Sequence, residues 1–395
     1  MKYYIIAGEA SGDLHGSNLI HGLLETDPNA DIRFWGGDMM SKAGGTLVRH
    51  YKDTAVMGFV EVLLKLNKIL NNISFCKKDI LDYNPDVLIL IDYPGFNFRM
   101  AKFAHVRGIK TFYYISPKVW AWKEKRVERL RKDVDNLFII FPFEIEYFNK
   151  KHIKTIYCGN PLIDKIESSG VLKEKASDFF KRHSDVLTAN DSKNNPITKY
   201  KPYIALLAGS RKMEINYLMP VFLKFEKLLE EKIAKGDLPK YDLLLASAPS
   251  IDLSYYQKYL SDSNIQIIND DTYSVMRHAD FCLISSGTAS LEAALIGSPQ
   301  VVCYGGNPIS FAIAKHFVKL KWISLGNLII QKTAFKELLQ KQCTAENIMK
   351  EFNLITLNSS YKKQMLDDYT EIQNKLGSPG ASVRVAKEMY KLLQK

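Results

Sequence analysis

Five successive apolar residues, Val87-Leu88-Ile89-Leu90-Ile91, stand between two aspartates, Asp86 and Asp92. A half-exposed strand alternates apolar with polar residues, so an unbroken short run indicates a strand covered on both faces. The run falls far short of the roughly 18 to 20 residues that a membrane-spanning helix needs, and no other run in the chain approaches that length. Similar runs recur at residues 3–7, 32–35, 111–115, 137–141 and 154–157, with helical patterns such as 12–25 and 100–107 between them. Strands that alternate with helices predict a parallel sheet with helices on both faces.

The pattern fades over residues 167–202, a polar stretch whose most turn-like part is Asn190-Asp191-Ser192-Lys193-Asn194-Asn195-Pro196, with one short helix near 173–183. It restarts with apolar runs at 203–207, 243–246, 265–268, 281–284 and 300–304, and helices follow to the end, the last after Gly377-Ser378-Pro379. The predicted class is therefore α/β, with two doubly wound, Rossmann-like domains facing each other across a cleft. The first covers residues 1–166, a polar connection covers 167–202, and the second domain covers 203–360. Helices at 361–395 pack back on the first half or on a partner chain. A length of 395 residues suits two such domains at about 150 residues each. In these sheets ligands bind beyond the carboxyl ends of the strands, so the loops there carry the functional argument.

The balance of 54 Lys and Arg against 43 Asp and Glu gives a net charge of +11, which favours a polyanionic partner: nucleic acid, an anionic membrane or a phosphorylated substrate. Residues 118–132 hold seven basic and two acidic side chains, read most simply as a solvated helix face with Glu/Lys pairs. Five cysteines form no Cys-x-x-Cys pair and eight histidines no cluster, so reduced thiols and no zinc site are expected. The first strand begins almost at Met1, leaving no signal-peptide core, and a cytoplasmic, non-spanning protein is expected.

Gly8-Glu9-Ala10-Ser11-Gly12-Asp13-Leu14-His15-Gly16 follows the first strand and opens the first helix. It is neither Gly-x-Gly-x-x-Gly nor a P-loop, so dinucleotide and ATP readings lose their usual support. Ser11 or Asp13 could simply cap the helix. The crowding of Gly, Glu, Ser and Asp at a strand's carboxyl end favours a binding loop. Asp92 follows the most apolar strand, where a carboxylate can be desolvated and made more basic; a helix cap or turn former is the equal alternative. Tyr114-Ile115-Ser116-Pro117-Lys118-Val119-Trp120-Ala121-Trp122-Lys123 sets Trp120 and Trp122 beside cations, which suits sugar rings and phosphates; one indole in the core and the other on the surface is the alternative.

Two further loops repeat one design. Ala208-Gly209-Ser210-Arg211 and Ser285-Ser286-Gly287-Thr288 each lead from a strand into a helix, offering free backbone N–H groups to a phosphate. Arg211 adds a charged fork, and Glu292, four residues beyond Thr288, is placed to accept ribose hydroxyls. This half is read as binding a nucleoside diphosphate. Residues 59–70 are apolar at Phe59, Val60, Val62, Leu63, Leu64, Leu66, Ile69 and Leu70, with Glu61, Lys65 and Lys68 on a narrow stripe. A buried core helix and a helix resting in a membrane interface both fit.

Taken together, the chain resembles the lipid-A-disaccharide synthases, inverting glycosyltransferases of GT-B architecture, essentially end to end. The motifs that carry the resemblance are AGEASGD from Ala7, AVMGFVEV from Ala55, YISPKVWAW from Tyr114 with Lys125-Arg126-Val127, Gly209-Ser210-Arg211, SGTASLE from Ser286 and WISLGNL from Trp322. Gly95 replaces the family's usual acidic residue, and Ala208 and Gly326 replace prolines; Asp92, Arg211, Glu292 and Asn327 all remain.

The resemblance implies transfer from UDP-2,3-diacylglucosamine to 2,3-diacylglucosamine 1-phosphate, forming the β-1,6 lipid A disaccharide and UDP, with Asp92 as base or positioning residue. It places Asn327 at the diphosphate or donor sugar and Glu9, Ser11, Gly12, Asp13, Ser116, Trp120 and Trp122 on the acceptor side. It makes Phe59, Val60, Val62, Leu63, Leu66 and Leu70 a contact with the inner surface of the cytoplasmic membrane, and it carries the expectation of a homodimer. No cofactor and no metal ion are expected. A UDP-sugar epimerase, another GT-B transferase and a non-catalytic nucleotide-sugar or lipid-binding protein are the alternatives. Nucleic-acid binding ranks last, because no known module pattern accompanies the basic residues.

Overall fold

A computed structural model of the chain describes residues 1–54, 66–120, 124–187, 201–306 and 321–395. The first sheet has seven parallel strands: β1 (Lys2–Ala7), β2 (Asp31–Gly36), β3 (Thr46–His50), β4 (Val87–Ile91), β5 (Thr111–Tyr114), β6 (Asn136–Ile139) and β7 (Thr155–Tyr157). Their order is β3-β2-β1-β4-β5-β6-β7. The second has six: β8 (Tyr203–Leu207), β9 (Asp242–Ala246), β10 (Gln266–Ile268), β11 (Phe281–Ser285), β12 (Gln300–Tyr304) and β13 (Glu337–Leu339), in the order β10-β9-β8-β11-β12-β13. Each winds outward one way, returns to the middle and winds the other way. The reversal falls between β1 and β4, and again between β8 and β11.

The continuous apolar strands are explained by burial on both sides. On β1, Tyr3, Ile5 and Ala7 join one core with Ile89 and Ile91, while Tyr4 and Ile6 join the opposite core with Leu88 and Leu90. Successive strand residues point to opposite faces, so a strand covered twice must be apolar at every position. Each buried Ile or Leu among them contributes about 1.5–3 kcal/mol. The two strands missing from the sequence reading, β3 and β13, lie at sheet edges; the five residues of β3 are half-buried or exposed, and β13 has three residues. Neither carries a run long enough to register.

The chain divides into two compact units, Met1–Asp164 with Leu376–Lys395, and Lys165–Lys375. The described part of the polar stretch after 166 is built into the second unit: Phe179 is fully buried against Tyr203, and Arg182 and His183 both bond Asp271 at 2.7 Å. The helix Ser359–Leu376 runs almost wholly within that unit, whereas Ala381–Leu393 belongs to the first. The latter helix lies so close to the helix Ala10–Thr26 that a Cβ at Gly22 would sit 2.9 Å from that of Ala386. Its start is fastened by Asp164, whose carboxylate accepts from the backbone N–H groups of Gly380, Ala381 and Ser382 and from the Ser382 hydroxyl, at 2.6–3.1 Å. A carboxylate on a helix's first N–H groups is favoured by both hydrogen bonding and the helix dipole.

The five cysteines are free thiols. Among the described residues, no helix is long and apolar enough to cross a membrane.

Asp164→Ala leaves those donors without their cap while removing little packing. It is expected to destabilise the protein by about 1–2 kcal/mol in urea unfolding and to open the chain after Leu376 to proteolysis. Unchanged stability and protection would show that Ala381–Leu393 is held by its apolar face alone.

Candidate active site

The carboxyl ends of β1 and β4 bring two of the predicted loops together. Gly8 directly follows β1, and a Cβ there would collide with the Tyr93 ring at 2.3 Å, so the loop after β4 can close over it only because residue 8 is glycine. Asp92 and Tyr93 both adopt left-handed backbone conformations, with φ of +42° and +45°. For residues other than glycine such conformations cost about 1–3 kcal/mol each and persist where surrounding contacts impose them. Here the Asp92 carbonyl accepts from the Tyr113 hydroxyl at 2.6 Å and from Asn97 Nδ2 at 2.8 Å. Burial pushes the Tyr113 phenol far up its titration range, so it remains a donor. Neither residue stood out in the sequence; Asn97 resembles a helix polar and Tyr113 a strand aromatic.

The strained turn presents the Asp92 carboxyl to a desolvated, negatively biased surrounding. Burial, reinforced by the charge of Glu9, raises its pKa to about 6, against the lowering influence of the Lys118 ammonium and the Tyr93 N–H. Glu9 itself is exposed, as is Ser11. Gly12 packs on Ala7, where a Cβ would lie 3.2 Å from its neighbour. Asp13 is buried and accepts from the N–H groups of Gly37, Met39 and Met40 at 2.7–3.1 Å. It therefore caps the next helix, Asp38–Ala43, and not its own.

The loop after β5 bends at Ile115, a β-branched residue with φ of +62°. Ser116 beyond it is buried, its hydroxyl turned to the Pro117 carbonyl. Trp120 is half-buried, packs edge-on against Phe143 and donates through Nε1 to Glu144 at 3.0 Å. Glu144 is 1% exposed and also accepts from the N–H of Phe141; burial pushes its pKa up to about 7. This carboxylate closes the loop after β6, accepting from the N–H groups of Ile140 and Phe141, and the sequence reading passed over it although Pro142-Phe143-Glu144 follows an apolar run. Trp122 lies outside the described residues, as do Phe59, Val60, Val62 and Leu63. So does the side chain of Leu66, while Leu70 is 53% exposed.

In the second unit β8 and β11 are hydrogen-bonded neighbours, which sets the loops at Gly209 and Gly287 side by side. Gly209 has φ of +105°, and a Cβ on it would meet Glu214 at 2.4 Å and Ser285 Oγ at 3.0 Å. Glu214 holds the turn, accepting from Ser210 N–H at 3.0 Å and Arg211 at 3.1 Å. The Arg211 side chain is 77% exposed at the start of the helix Lys212–Ala234. Ser286 donates its N–H to the Cys303 carbonyl, and Gly287 and Thr288 are exposed at the head of the helix Thr288–Ile296. Between the two loops Ser285 Oγ is buried and finds no partner. Glu292 is oriented by Tyr273 at 2.6 Å and Lys165 at 3.0 Å, both on Oε1.

Asn327 is placed differently from the expectation. It is fully buried, its Nδ2 donating to the Phe335 carbonyl and Glu337, and its Oδ1 accepting from Ala334 and Phe335. All its hydrogen-bonding capacity orders the 334–337 segment. Among the described residues, no group of three or more His, Cys, Asp or Glu could hold a metal ion.

The model of the lipid-A-disaccharide synthetase family matches residues 3–385. The lipid-A-disaccharide synthase of Geobacter metallireducens is 34% identical over 396 residues, covering 100% of this chain and 98% of its own. That of Coxiella burnetii is 31% identical over 389 residues, with 98% of each chain covered. Among solved structures, UDP-GlcNAc 2-epimerase from Neisseria meningitidis bound to UDP-GlcNAc has a TM-score of 0.62 at 15% identity, covering 99% of this chain and 100% of that one. A glycosyltransferase from Rickettsia africae has a TM-score of 0.58 at 12% identity, covering 100% and 98%. The structural likenesses show a shared GT-B fold.

The electrostatics of the first unit can be read directly by following the Asp92 carboxyl by NMR. Its midpoint is expected near pH 6. Glu9→Gln removes a negative neighbour and should lower that midpoint, while Lys118→Met removes a positive one and should raise it. A midpoint near 4 in all three proteins would mean that the carboxyl is open to water.

Proposed function

Because the chain belongs to the lipid-A-disaccharide synthase family, we propose that it joins UDP-2,3-diacylglucosamine to 2,3-diacylglucosamine 1-phosphate, with Asp92 as the general base. The observation that carries the assignment is the Asp92 carboxyl, held in a left-handed turn where burial raises its pKa to about 6. A base is most useful when its pKa lies just below working pH: mostly ionised, yet basic enough to take a proton.

An α-linked sugar nucleotide that yields a β-linked product requires a single in-line displacement. The acceptor 6-hydroxyl attacks the anomeric carbon and gives its proton to Asp92. The bond from that carbon to the diphosphate oxygen breaks, and UDP departs with the electron pair. Arg211, exposed beside the N–H groups that open Lys212–Ala234, supplies positive charge to the departing diphosphate. The N–H groups at Gly287 and Thr288 and the unpartnered Ser285 hydroxyl supply further donors. Glu292 accepts from the ribose, its orientation fixed by Tyr273 and Lys165. On the acceptor side the strained turn at Ile115 and the Trp120–Glu144 bond hold an indole face for a sugar ring. The acylated substrates reside in a bilayer, so the enzyme works at the inner surface of the cytoplasmic membrane.

Asp92→Asn is expected to lower turnover roughly 10²–10⁴-fold while UDP binding, measured by calorimetry, stays intact. Full turnover would reduce Asp92 to a turn former. In the wild type kcat/KM should fall as pH drops through about 6, because protonated Asp92 cannot accept the hydroxyl proton. Arg211→Ala should weaken UDP binding and slow turnover, by roughly 10²-fold if it meets the leaving charge. Excess EDTA should leave both products, UDP and disaccharide, forming at the same rate; loss restored by a divalent ion would assign the counter-charge to a metal.

A further inference from the structure

In the first unit a cavity of about 350 Å³ is lined by five cations, Lys77, Arg99, Lys102, Arg107 and Arg129. Its remaining lining is apolar, Phe103 and Val106. Three helices contribute. Arg99, Lys102, Phe103 and Val106 share one face of Pro94–Val106 at i, i+3, i+4 and i+7. Lys77 comes from Leu66–Tyr83 and Arg129 from Val127–Asp133.

Five like charges around one cavity repel each other unless something negative sits among them. Two acids on the same helices are engaged elsewhere, Asp79 with Arg33 and Glu128 with Arg131. Among the described residues none of the five cations is within ion-pair distance of a carboxylate. Three are nonetheless held in place. Arg99 donates to the Gly95 carbonyl, Arg129 donates to that of Phe98, and the Arg107 guanidinium lies 4.0 Å above the Phe103 ring. The charges are thus partly ordered, unpaired and convergent, which suits a phosphate that accepts several charge-assisted bonds.

Val106 in the lining and the helix that carries Lys77 indicate where that phosphate comes from. Val106 is 70% exposed, and on the neighbouring helix Leu70 and Leu81 are 53% and 47% exposed, in line with Lys77 at i−7 and i+4. A soluble phosphate gains nothing from exposed aliphatic side chains. A phosphate whose ester carries acyl chains gains burial of those side chains as well as the ion pairs. Single-stranded nucleic acid would stack on exposed rings, and Phe103 is buried beneath the guanidinium.

We propose that this cavity is a headgroup site through which the enzyme docks on anionic phospholipid at a bilayer surface. It rests on the reading that the enzyme works at a membrane, and it adds a lipid that is neither donor nor acceptor. Arg99 reaches back to Gly95, but the rest of the site runs away from the chemistry. At 1.5 Å per residue, Arg99 lies about 8 Å and Val106 about 18 Å along the helix from Pro94, which adjoins the Asp92 turn.

The test is co-sedimentation of the full chain with vesicles of phosphatidylcholine alone and of phosphatidylcholine mixed with phosphatidylglycerol. The wild type should prefer the mixed vesicles, with a preference that fades as salt rises. Lys102→Gln with Arg107→Gln should weaken binding to them roughly 30-fold, at about 1 kcal/mol per cation near such a surface. Lys362→Gln with Lys363→Gln removes the same charge from the second unit and should cost little. No preference for anionic vesicles, or equal losses in the two double variants, would overturn the site. So would displacement from vesicles by inorganic phosphate at constant ionic strength, which would make it a free-phosphate site. A raised KM for the acceptor in neutral detergent micelles would make it an acceptor subsite instead. Turnover in those micelles is independent of vesicle binding: intact turnover without vesicle preference sinks the docking site alone, whereas absent turnover sinks the transferase reading.

Discussion

The parallel pairing of β1 with β4, repeated by β8 with β11, is the constraint on which each unit depends. Strands buried on both faces must satisfy every backbone group by pairing with their neighbours, because no water reaches them. A parallel pair also aims both chains in the same direction, so two loops emerge together at one edge. Where the order of winding reverses, the helices after those loops go to opposite faces and leave a space between the loops. In the first unit that edge gathers Gly8, Glu9, Asp92 and Tyr93; in the second it gathers Gly209, Arg211, Ser285 and Gly287.

The two edges are tuned in opposite senses. In the first, burial outweighs the stabilising influence of Lys118, and Asp92 becomes a stronger base than an exposed aspartate. The geometry that buries it is costly, with Asp92, Tyr93 and Ile115 all at positive φ. Hydrogen bonds from Tyr113 and Asn97 to one carbonyl offset that cost, so the strain is fixed from inside the sheet. In the second, the helix-opening N–H groups and an Arg211 side chain left in solvent offer positive potential without burying a charge. Preorganised donors of this kind suit an anion that brings its own charge.

Much of the fold could be read along the chain, because the apolar runs of β4, β8 and β12 coincide with the observed strands residue for residue. The loops could be found for the same reason: a Gly, Ser or Asp cluster directly after an apolar run marks where the buried strand ends. Edges were harder. β3 is only half covered and β13 has three residues, so neither shows the pattern that burial imposes. Asn327 shows another limit: the resemblance put it at the diphosphate, while its amide is used entirely within the protein. Asp13 looked like a cap for the helix it begins and instead caps the next one.

The sequence alone determined the alternation of covered strands and helices, the loops that follow them and the family to which they belong, because these are local patterns repeated by type and spacing. Tertiary structure decided what those residues can do. The raised pKa of Asp92 needs Glu9 from one strand end and burial from another. Glu144 acquires its Trp120 partner across 24 positions, and Asp164 reaches a helix more than 200 positions later. Four of the five cations of the flank cavity come from three helices, and the fifth, Arg107, follows the end of one of them. Desolvation, charge coupling and capping all depend on distance in space, which residue order does not state.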